Sequence, residues 1–197
     1  MGGFGRSEAD QVFDNEDSFL NAAGPVRTED FESTEPFGTN SDGGVLNTLF
    51  FGFEVFSIVD SLKVPDYNYA GLHNTTVGGR NYLASDFDDG GITPNIRFVL
   101  DNPTDRIGFY VTDLDSLNMQ FFIGVQSYEI PATGDGGEAY FGIILDNPVD
   151  EFRLLIVDGA DTAYGIDDFS LGVVPEPGSA LVLGVACFGL LARRRWK

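Results

Sequence analysis

At 197 residues, with 43% hydrophobic and 13% aromatic side chains, the chain is long enough for one domain with a sizeable core plus a short appendage. Thirty-one acidic residues outweigh eleven basic ones for a formal charge of -20, and residues 1–174 alone carry 30 acids and seven bases, a net -23. Such a body is repelled by nucleic acid and by anionic membrane surfaces, which leaves cations, neutral sugars and basic proteins as partners. The sole cysteine, Cys187, lies close to the C-terminus, so the body has no disulfide and no thiolate ligand or nucleophile.

Residues 1–10 hold no apolar stretch able to act as a signal peptide, and the expectation is a true start upstream of Met1. Residues 14–23 read as a short helix: Asp14 or Asn15 can cap it, acids fill its first turn and Gly24-Pro25 ends it. Its narrow stripe of Phe19, Leu20 and Ala23 is expected against a sheet edge. A strand over 26–32 follows, and 33–44 is a loop by composition.

From there short β-branched and aromatic runs alternate with Gly, Asn, Asp and Pro, the pattern of an all-β sandwich. Strands are predicted over 49–53, 55–59, 96–100, 107–112, 121–125, 140–145, 152–157 and 166–172. Alternation puts Ile96, Phe98 and Leu100 on one face, likewise Ile107, Phe109 and Val111, and likewise Phe152, Leu154 and Ile156. Eighteen phenylalanines, mostly in these runs, are enough to fill an inter-sheet core, so aromatics here count as core by default.

One echo stands out. Leu100-Asp101-Asn102-Pro103, a strand and Asp113 recur 45 positions later as Leu145-Asp146-Asn147-Pro148, a strand and Asp158. Asx side chains and Pro make these turn signals, and two copies read as equivalent turn-plus-strand units rather than a solenoid.

Catalytic chemistry has little to draw on. His73 is the only histidine, with no nucleophile elbow or histidine cluster to partner it, and reads as a surface side chain. The acids are too numerous for any carboxylate pair to mark a glycosidase. The run 86–91 has Asp86, Asp88 and Asp89 but puts Gly90 at the fifth position and Arg97 at the twelfth, which is not EF-hand spacing. Tyr67, Tyr69 and Tyr82 lie in a Gly/Asn-rich stretch and are the aromatics available to stack on sugar rings.

The C-terminus is a different object. Val174-Pro175-Glu176-Pro177-Gly178 cannot continue a strand or helix, and 179–192 is uncharged and apolar on every side. As a helix it spans about 20 Å, short of a bilayer core, yet Arg193, Arg194 and Arg195 abut it as a cytoplasmic stop would. Pro-Glu-Pro motif, short apolar (transmembrane) helix and arginine cluster together resemble the PEP-CTERM sorting signal of Gram-negative bacteria that make exopolysaccharide. The resemblance covers 174–197. It implies an exosortase-type processing enzyme as partner, an inner-membrane-anchored precursor, and delivery to the cell surface or extracellular matrix.

The body resembles, through Asp30-Phe31-Glu32, Gly108-Phe109-Tyr110-Val111-Thr112-Asp113 and Gly165-Ile166-Asp167-Asp168-Phe169, the jelly-roll sandwiches of PEP-CTERM proteins and carbohydrate-binding modules. That resemblance implies a structural calcium held between the first and last strands, by Glu32 with Asp167 or Asp168. Parity adds that Asp167 shares a face with Phe169 and Leu171 and points inward. The expected organisation is an N-terminal segment with a short helix (1–25), a jelly-roll β-sandwich (26–172) and a sorting signal (173–197). The expected function is that of an exported, non-enzymatic surface or matrix component associated with exopolysaccharide. A carbohydrate-binding module for that polysaccharide is the alternative and a secreted hydrolase the third reading.

Overall fold

The computed structural model describes residues 10–32, 37–40, 45–50, 53–57, 61–64, 74–76, 79–86, 95–114, 119–156 and 163–173. The C-terminal stretch 174–197, which resembles a sorting signal, lies outside them, as do Tyr67, Tyr69, His73 and residues 87–91. Among the described residues no helix is long and apolar enough to cross a membrane.

In chain order the elements are β1 (Gln11–Phe13), α1 (Glu16–Ala23), β2 (Val26–Glu29), β3 (Phe37–Asn40), β4 (Val45–Phe50), β5 (Phe53–Ser57) and β6 (Ser61–Val64). They continue with β7 (Leu83–Asp86), β8 (Asn95–Thr112), β9 (Met119–Ile123), β10 (Gln126–Ile130), β11 (Glu138–Ile156) and β12 (Ala163–Gly172). All pairings are antiparallel. The frame is the β8–β11 ribbon, which runs in register from Thr112 opposite Glu138 to Asn95 opposite Leu155, with irregularities around Val149.

Each of these two strands serves two layers. The 106–112 half of β8 and the 138–144 half of β11 are flanked by β1 on one side and by β12, with β2 and β7, on the other. Their other halves are flanked by β9 and β10 and by β5 and β4. The core lies between the layers. Phe98 of one layer stacks on Phe169 of the other with centroids 5.2 Å apart and planes 8° apart, and Phe121 meets Phe141 across the same gap at 5.2 Å. Phe53, Phe109 and Phe152 complete the stack. Burying each of these rings stabilises the fold by about 1.5–3 kcal/mol before the ordering cost is counted.

The two Asp-Asn-Pro segments mark bends within strands, not chain reversals between them. Asp101, Asn102 and Pro103 are exposed, as are Asp146, Asn147 and Pro148, while Leu100 and Leu145 beside them are buried. A proline fits a strand where the ladder is broken, and the register shifts at Val149 break it. Four of the predicted strands therefore become two longer ones: 96–100 and 107–112 merge into β8, and 140–145 and 152–157 into β11. Conversely, the stretch assigned to loop at 33–44 contains β3, paired with β6.

The helix forms over Glu16–Ala23 with Asn15 as its cap, whose Oδ1 accepts from Ser18 N–H at 3.0 Å. Gly24, at φ 70°, ends it by donating to the Leu20 carbonyl. It lies on the outer face of the strands at the β1 edge, where Phe19 is fully buried over Gly108 and Gly142 beside Tyr140. A Cβ on Gly142 would stand 2.7 Å from the Phe19 ring, so the notch needs glycine. Tyr110 anchors the helix start by donating to Glu16 at 3.1 Å; burial first, then Glu16, pushes that phenol up to about 12.

Candidate functional site

Two arrangements emerge, one on each outer face. On the β12 side the three acids Glu32, Asp167 and Asp168 do converge on one piece of chain. β2 ends at Glu29, whose Oε1 accepts from Phe31 N–H at 2.8 Å, and Phe31 takes a left-handed φ of 57°. That turn aims Glu32 at residues 79–81. Its Oε1 accepts from Asn74 Nδ2 (2.9 Å), Arg80 N–H (2.6 Å) and Asn81 N–H (2.7 Å). A Cβ on Gly79 would lie 2.4 Å from the same oxygen. From β12, Asp167 Oδ2 accepts from Thr75 N–H (2.7 Å), Thr75 Oγ1 (3.0 Å) and Thr76 N–H (3.2 Å), while Asp168 accepts from the hydroxyls of Thr75 and Thr76.

Asp167 is fully buried, though not on the face that parity assigns. Ile166 and Phe169 both reach the core, because β12 slips register between Asp167 and Ser170 and Asp168 turns through φ 48°. Asp167 therefore lies opposite Ile166, on the outer face, and it is residues 75–76 that exclude water from it. Burial raises its pKa to about 7, against the bonds from Thr75, with the neighbouring Asp168 pushing the same way.

Calcium needs six to eight oxygens. Among the described residues no group of three or more His, Cys, Asp or Glu is placed to hold a metal, and most carboxylate oxygens here are committed to N–H and O–H donors. Two buried oxygens, Asp167 Oδ1 and Asn74 Oδ1, have no hydrogen-bond partner. Of the two, Asp167 Oδ1 is the carboxylate oxygen left open to a cation, and the set as it stands falls short of the oxygens that calcium takes.

On the opposite layer, a cleft of about 540 Å³ runs beside the bend of β11, lined by Phe122 and Ile123 of β9, Pro148, Val149, Glu151 and Arg153. Strand alternation builds it. Phe121 is buried and Phe122, the next residue, faces out half-exposed; Phe152 and Leu154 are buried and Arg153 between them is exposed. Pairing sets Phe122, Arg153 and Arg97 in one cross-strand row. Glu151 joins the arginines: Oε2 meets Arg97 Nη2 and Oε1 meets Arg153 Nη2 at 3.2 Å. The Arg97 bond, above all, holds the Glu151 carboxyl below its ordinary value, and Glu151 in return raises Arg97. An aromatic face beside fixed donors and an acceptor is the chemistry that grips sugar rings and hydroxyls.

Of the tyrosines considered for sugar stacking, Tyr82 is wholly buried in the core beneath Gly165 and offers no face to a ligand, which corrects that expectation. The polar row around Phe122 escaped the sequence reading because every phenylalanine was assigned to the core. The signal was present: in Phe121-Phe122 only one ring can face inward.

Comparison with protein-family models and with curated proteins returns no match. Similar solved structures include TmCBM61 in complex with β-1,4-galactotriose (16% identity, 62% of this chain and 88% of that one, TM-score 0.44). A mutant of the family 29 carbohydrate-binding module CBM29-2 is similar at 10% identity over 70% of this chain and 92% of that one, with a TM-score of 0.43. The K1 cleaved adhesin domain of Lys-gingipain from Porphyromonas gingivalis W83 is similar at 12% identity over 77% and 100%, also at 0.43.

Proposed function

We propose that the body is a non-catalytic carbohydrate-binding module of jelly-roll type, which takes a polysaccharide strand into the Phe122 cleft. The observation that carries this is the cross-strand row Phe122–Arg153–Arg97 with Glu151, in which Arg153 is exposed and the other three are half-buried, beside the cleft at the bend of β11. The other outer face is taken by α1 and by residues 74–76 and 79–81. In the cleft the Phe122 ring stacks on the apolar face of a sugar, while Arg153 donates and Glu151 accepts at its hydroxyls. Nothing there requires bond cleavage.

The second part of the proposal concerns location and support. The tail carrying Val174, Pro175, Glu176, Pro177, Arg193, Arg194 and Arg195 directs the protein through the inner membrane to exosortase-type processing, which leaves the module at the surface or in an exopolysaccharide matrix. A calcium ion at Asp167 Oδ1, a buried carboxylate oxygen without a hydrogen-bond partner, supports the β12 side of the sandwich.

Binding of the full-length protein to an array of neutral and acidic polysaccharides tests the first part. At least one polymer should be retained, and Phe122→Ala should weaken that binding tenfold or more, about 1.4 kcal/mol, with the melting temperature nearly unchanged. Undiminished binding by the variant would remove the cleft from the account.

A further inference from the structure

Resting on that reading of the cleft, we infer that its ligand is an acidic polysaccharide, and that Arg153 is the residue that selects the sugar carboxylate. The body has seven basic residues against thirty acids, yet two of the seven, Arg97 and Arg153, are direct cross-strand neighbours here. They share one carboxylate unequally. Arg97 takes Glu151 Oε2 in a short charge-assisted bond. Arg153 reaches only the other oxygen, through Nη2 at 3.2 Å and Nε at 3.4 Å, and its side chain stays 49% exposed.

Glu151 is thus neutralised mainly by Arg97, and the Arg153 guanidinium stands in the cleft wall with a loosely engaged fork of donors. Asp150 also lines the cleft, but it is exposed and solvated, so water and salt screen it. A guanidinium fork matches a carboxylate in a way no hydroxyl pair does. Phe122 lies next to Arg153 in the same row, so a ring stacked on Phe122 brings its exocyclic carbon to the guanidinium. A hexuronate carries its carboxylate at that carbon. At physiological salt, exposed charges more than about 8 Å away are largely screened, so the distant acids of the body weigh little against a direct ion pair.

The test compares polygalacturonate with its fully methyl-esterified form, which has the same backbone without the charge, and adds alginate, hyaluronate and neutral galactan and dextran. The full-length protein should bind at least one uronate polymer, and should prefer the free acid to its methyl ester by tenfold or more. Arg153→Gln should collapse that ratio towards one, and Arg153→Lys, which keeps the charge but not the fork, should retain part of it; melting curves verify that both fold. A ratio near one in the unaltered protein, or a ratio preserved in Arg153→Gln, would overturn the inference while leaving sugar binding in place. Retention of neutral polymers alone would do the same. Failure to bind any polymer would overturn the reading of the cleft, and the inference with it.

Discussion

At Asp167 a fully buried carboxyl accepts three hydrogen bonds on one oxygen and none on the other, and its pKa stands at about 7 in the fold against 3.8 as the ordinary value. A raised folded pKa means that the native state holds the proton more tightly than the unfolded chain. Its stabilising contribution is complete below about pH 4 and is lost as pH rises through 7, by up to about 4 kcal/mol. In buffer containing chelator, the melting temperature should therefore fall between pH 5 and pH 8, and Asp167→Asn should flatten that fall. Calcium added at pH 8 should restore the unaltered protein and leave Asp167→Asn unmoved. A melting curve indifferent to calcium would count heavily against a cation at Asp167 Oδ1. The sequence placed Glu32, Asp167 and Asp168 in one neighbourhood through the family resemblance. It could not show that their oxygens are filled by Thr75, Thr76, Arg80 and Asn81, because hydrogen-bond partners 42 to 92 residues away leave no local pattern.

Among the elements, α1 depends on its contacts more than on its propensity, since an eight-residue helix is marginal alone. Asn15→Ala should cost about 1 kcal/mol through the lost cap. Gly142→Ala, which forces a methyl group against Phe19, should cost about 1–3 kcal/mol. Chemical denaturation measures both, and a Gly142→Ala protein as stable as the original would refute the tight notch. The helix, its cap and its glycine stop were legible because capping chemistry is local. The strands were legible as runs but not as wholes: Asp-Asn-Pro is a turn signal in any context, and only the ladder between β8 and β11 turns it into a bend. Strands β1, β3, β6, β7 and β10 were missed, since short segments such as Gln126–Ile130 acquire their state from the neighbours they pair with.

At the scale of the whole molecule, charge and layering divide the labour. The composition pointed to neutral sugars and cations as partners, and the -23 body still disfavours polyanions at a distance. The local arrangement differs from the mean, with two arginines brought together by the register of β8 on β11 and set beside Phe122 by β9. One outer face is packed by the protein's own helix and by residues 74–76 and 79–81, and the other carries the cleft. The most direct measurement is calorimetric titration of the full-length protein and of Phe122→Ala with the polysaccharide that the array retains best. The expected result is saturable binding by the unaltered protein and at least a tenfold loss in the variant, at equal thermal stability. Equal affinity of the two proteins, or no heat of binding with any polysaccharide, would contradict a sugar-binding cleft at Phe122.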